Sequence, residues 1–112
     1  DDEEAFDAFA QKIDLRSYVP DITCPVLICA GEQDQLSPIE FSYEVFDHIK
    51  APREILVYEG ANHSVADAPS VALGDNPRDY LCDWLAARLA DKPMKSMKTF
   101  VDSTGRRTEE PV

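Results

Sequence analysis

Two short apolar runs, Val26 to Ala30 and Ile55 to Tyr58, constrain the fold more than anything else in the chain. Each is bounded by turn formers, Pro25 and Gly31 around the first, Pro52 and Gly60 around the second. Runs of that length and setting read as strands buried on both faces, as in a parallel sheet. The first strand is expected over residues 22–30 and the second over residues 54–58. Pro25 lacks a donor, which suits the start of a strand. Between the runs, Phe41, Val45, Phe46 and Ile49 recur at helical spacing. Ser37-Pro38-Ile39-Glu40 ahead of them has the form of a capping box with Pro at the first helical position. Strand, helix and strand in this order make a βαβ unit, whose crossover is expected to be right-handed.

The flanking segments read as further helices. Residues 3–13 begin among four carboxylates and carry Phe6, Phe9, Ala10 and Ile13 at helical spacing, so an amphipathic helix is expected with its aromatic face on a core. Asn76-Pro77 gives a cap followed by Pro, and Tyr80, Leu81, Trp84, Leu85 and Leu89 then form a stripe expected to pack on the sheet. After residue 91 the chain changes character. Residues 1–91 carry 19 acids and 6 bases, whereas residues 92–112 carry 3 acids and 5 bases. The organisation expected is a body over 1–91 and a basic tail over 92–112, with a short edge strand at residues 99–101 and a turn at Asp102-Ser103-Thr104-Gly105.

Charge and cysteine usage narrow the class. A net charge of −11 argues against nucleic acid and anionic membrane as partners, since both are polyanions. No apolar stretch is long enough to span a bilayer. Cys24, Cys29 and Cys82 are odd in number and lack CxxC spacing, which suggests reduced, buried thiols and a cytoplasmic setting, with no metal and no cofactor.

Chemistry is concentrated at the two strand ends. Asp34 and His63 stand just past the first and second strands, 29 residues apart. The carboxyl edge of a parallel sheet is where open α/β folds place their sites. A carboxylate that orients an imidazole and fixes its tautomer is the supporting half of a nucleophile–His–acid triad. A lone loop Asp is more often a cap and a lone His more often structural. Glu32 competes with Asp34 for the acid position. His48, late in the intervening helix, reads as a surface residue.

The pattern Ile22-Thr23-Cys24-Pro25-Val26-Leu27-Ile28-Cys29-Ala30-Gly31-Glu32-Gln33-Asp34, followed by Leu36 and Pro38, resembles the segment that carries the catalytic acid in α/β-hydrolases. Tyr58-Glu59-Gly60-Ala61-Asn62-His63 resembles the segment carrying their catalytic histidine. The resemblance covers roughly residues 14–90. It implies the C-terminal part of an α/β-hydrolase-type sheet, a βαβα unit of parallel strands flanked by helices. It also implies that Asp34 is the triad acid and His63 the general base.

The chain departs from that family in one respect. The family's nucleophile stands on a G-x-S-x-G elbow upstream of the acid. The four glycines here are Gly31, Gly60, Gly74 and Gly105, and no two are four apart. Ser37 is better used as a helix cap and Ser64 as a loop hydroxyl. The expectation is therefore a C-terminal segment of a serine hydrolase acting on an ester, thioester, amide or carbon–carbon bond. The nucleophile and the oxyanion hole would lie upstream. Its partners would be a small-molecule substrate and the remainder of the hydrolase domain, with a homo-oligomer also open. The alternative is a non-catalytic α/β interaction module or a degenerate hydrolase remnant.

Overall fold

The computed structural model describes all 112 residues. In chain order the elements are α1 (Asp2–Lys12), β1 (Val26–Gly31), α2 (Ile39–His48), β2 (Arg53–Tyr58), α3 (Pro77–Leu89), β3 (Met97–Val101) and β4 (Arg107–Pro111). Short 3-10 turns lie at Val19–Asp21, Val65–Asp67 and Pro69–Leu73. The strands form one sheet in the order β1-β2-β3-β4. β1 and β2 are parallel, with Ile28 opposite Ile55 and Gly31 opposite Tyr58. β2 and β3 are also parallel, and β3 and β4 are antiparallel. The chain is thus a mixed α/β unit, a mostly parallel sheet flanked by helices.

The alternation of side chains along β2 divides the core in two. Ile55 and Val57 point to the α2 side and pack with buried Phe46. Leu56 and Tyr58 point to the other side and cluster with Ala61, Ala68 and Val101, against which Val65, Val71 and Tyr80 pack. A third cluster, Val19, Ile49 and Ala51, closes the end of α2. Burial of each such aliphatic side chain contributes about 2 kcal/mol. Because β2 is covered on both faces and paired on both edges, it is the structural centre, as its continuous apolar run predicts.

β1 is less buried than its sequence suggests. Val26 to Cys29 are half-exposed, because β1 is one of the two edge strands and has a neighbour on one side alone. The amphipathic helices differ from expectation for a related reason. α1 forms, with the Asp1 carboxylate accepting from Glu4 N at 2.7 Å, but none of its residues is buried. Phe6, Phe9 and Ile13 face solvent rather than a core. In α3 the Asn76 side chain caps as predicted, accepting from Arg78 N at 3.0 Å. Its stripe is only partly engaged: Tyr80 and Trp84 are half-buried, while Leu81, Leu85 and Leu89 are exposed.

Two further expectations are corrected. Cys24 and Cys82 are exposed and Cys29 is half-buried, so the thiols are free but not core residues. The segment after residue 91 supplies β3 and β4. Thr99 to Val101, expected at an edge, lies inside the sheet between β2 and β4. The predicted turn does join them. Asp102 Oδ1 accepts from Thr104 N at 2.9 Å and Arg106 N at 3.0 Å, and Gly105 takes the positive φ (83°) that the reversal requires.

Candidate active site

The loops after β1 and β2 meet because of a glycine. At Gly31 the backbone of residues 61 and 62 passes so close that an added Cβ would lie 2.2 Å from the Asn62 carbonyl oxygen and 2.4 Å from that of Ala61. Gly31 is therefore needed for close approach. That contact lets Gln33 N donate to Ala61 O at 2.9 Å and Glu32 N to Tyr58 O at 3.0 Å. The Asn62 carboxamide ties the loops further. Its oxygen accepts from Gln35 N at 3.1 Å and from His63 N at 2.9 Å, while its backbone N–H donates to Asp67 Oδ1 at 3.1 Å.

Asp34 is held by its own loop. Oδ1 accepts from Leu36 N at 2.8 Å and from Ser37 N at 2.9 Å. These bonds take up Ser37's N–H, and α2 begins after Pro38 with no side-chain cap. The predicted capping box is thus replaced by a turn built on Asp34, the ordinary behaviour of an Asp side chain bonding two and three residues ahead. Oδ2 is left to face the second loop. There it meets His63 Nδ1 at 2.9 Å. The two residues singled out from the sequence are thus in direct contact.

The two side chains differ in environment. The Asp34 side chain is 8% exposed and that of His63 is 62% exposed. The Ser37 and Leu36 N–H groups and the His63 ring hold the Asp34 carboxyl below the usual carboxylate range, the Ser37 bond contributing most and burial opposing it. An ionised carboxylate at Nδ1 selects the tautomer with the proton on that nitrogen, and leaves the lone pair on Nε2. Such a nitrogen can take a proton from a hydroxyl or thiol within about 2.6–3.2 Å. His63 also lines a pocket of about 290 Å³ with Ser64, Val65, Val71, Asn76 and Arg78.

The remaining candidates lie apart. Glu32, the competitor for the acid position, makes no side-chain hydrogen bond to the imidazole; Asp34 does. His48 is exposed on α2 with Nδ1 2.7 Å from the Glu44 carbonyl oxygen, as expected of a surface residue. Asn62 and the close-approach role of Gly31 were missed in the sequence. The signal for Asn62 was its place beside His63; nothing local marks the contact at Gly31.

Among known proteins, a monoglyceride lipase homolog of Monkeypox virus is 37% identical over 49 residues. The match covers 44% of this chain and 18% of the viral protein's length. No protein-family model matches the chain, and no solved structure matches it. The viral similarity supports a hydrolase-like origin. No helix is long and apolar enough to cross a membrane.

Proposed function

We propose that Asp34 and His63 are the acid and general base of a serine hydrolase. The observation that carries this reading is the 2.9 Å bond from His63 Nδ1 to a shielded Asp34 carboxylate, with the rest of the imidazole open to solvent. Both residues stand at the carboxyl ends of adjacent parallel strands. In the first step His63 Nε2 takes the proton of a serine hydroxyl as its oxygen bonds to the substrate's carbonyl carbon. The imidazolium, stabilised by Asp34, then protonates the leaving alcohol, and an acyl-enzyme remains. Water attacks the acyl carbon with His63 again taking the proton, and the serine is regenerated.

These 112 residues contain no G-x-S-x-G elbow, so the serine and the oxyanion donors belong to a segment outside them. Without those parts most of the rate enhancement is missing. The viral relative's name makes a monoacylglycerol the first ester to try. The competing reading, a non-catalytic interaction module, requires His63 to be dispensable. The test is fluorophosphonate labelling of the polypeptide that carries this segment, with the modified residue located by mass spectrometry. One serine labelled in the wild type, and its labelling suppressed in His63→Ala, is the expected result. Absence of any labelled serine refutes the proposal.

A further inference from the structure

We propose that the free edge of β4 pairs with β4 of a second copy of this chain, antiparallel and centred on Thr108, to make one sheet continuous through both copies. β4 is hydrogen-bonded to β3 alone, and all five of its residues are exposed. The ladder fixes which of its backbone groups are free. Asp102 N donates to Arg106 O at 2.9 Å and Val112 N to Ser96 O at 3.3 Å, so Arg106 and Val112 turn their backbone groups toward β3. By the alternation of an antiparallel ladder, those of Thr108 and Glu110 also point inward, and those of Arg107 and Glu109 point outward.

The sequence across that edge, Arg106-Arg107-Thr108-Glu109-Glu110, is complementary in charge to its own reverse. In a two-fold pairing centred on Thr108, Arg107 stands opposite Glu109 of the other copy, and Arg106 opposite Glu110. Both members of each pair fall on the same face of the sheet. Arg107 and Glu109 are also the residues with outward backbone groups, so each of the two symmetry-related pairs exchanges both of its N–H···O=C bonds. Moving the centre to Arg107, Glu109 or Glu110 sets like charges opposite each other. The register on Thr108 is thus selected by charge and hydrogen-bond parity together. A charged edge with Pro111 near its end also discourages pairing with unrelated strands. The same residues that repel other edges match their own.

Arg107 already reaches Asp75 at 3.3 Å and lies over the Tyr80 ring, so the cleaner test uses the other pair. Arg106 and Glu110 make no side-chain ion pair within the chain. The experiment is sedimentation velocity on the polypeptide carrying this segment, as wild type, Arg106→Glu, Glu110→Arg and the double variant. Wild type is expected to dimerise, more weakly at high salt. Each single reversal is expected to weaken the dimer about tenfold, because two symmetry-related pairs turn repulsive. The double variant restores it, and an equimolar mixture of the two single variants forms a heterodimer. Wild type that is monomeric throughout, or that dimerises with no response to either single reversal, overturns the proposal. Because catalysis is not read, the outcome is independent of the hydrolase proposal.

Discussion

At Gly31 a single hydrogen atom in place of a methyl group sets the distance between the two loops. A Cβ there would collide with the carbonyl oxygens of Asn62 and Ala61, which are backbone atoms and cannot rotate away. Gly31→Ala should therefore push the loops apart and destabilise the fold by about 1–3 kcal/mol, as overpacking does. A lowered midpoint in chemical denaturation checks this, and the same variant should lengthen the His63–Asp34 bond. Asp34 gives the site its pH dependence. Its carboxyl ionises more readily folded than at its ordinary value of 3.8, so its contribution to stability is fully present above that pH. The contribution is lost as pH falls through the lower, folded-state value. Denaturation midpoints of wild type should thus drop more steeply below pH 3.8 than those of Asp34→Asn.

At the scale of elements, the helix starts rest on two devices, a side-chain cap for α1 and α3 and a turn for α2. α3 depends on the Asn76 carboxamide, and Asn76→Ala should cost about 1 kcal/mol, read as a fall in thermal or denaturant midpoint. α2 begins from the turn that Asp34 makes, so a catalytic candidate also shapes the helix that follows it. The strands and helices through residue 90 were legible because burial demands apolar runs and amphipathic stripes. So was the meeting of Asp34 with His63, since a strand end is visible in sequence. β3 was legible in part, as a strand at residues 99–101 read as an edge, while β4 was hidden because Arg107 to Pro111 is an exposed, charged edge with no apolar signature. The stripe of α1 showed that the helix has an apolar face, but a stripe does not name what covers it. Here Phe6 and Phe9 remain exposed.

At the scale of the molecule, 16 of 112 residues are buried, a small core for a sheet with three helices. The apolar faces of α1 and α3 and the open edge of β1 are surfaces that a larger domain would cover. That agrees with a match spanning 18% of the viral relative. The whole arrangement converges on His63, placed by β2, oriented by Asp34 at the end of β1, and kept in reach by Gly31 and Asn62. The most direct measurement is kcat/KM for a short-chain ester by the polypeptide carrying this segment, wild type against His63→Ala, with folding of both verified by circular dichroism. The account predicts a loss of about 10⁴-fold or more on removing the imidazole. Equal activity in the two proteins would contradict it.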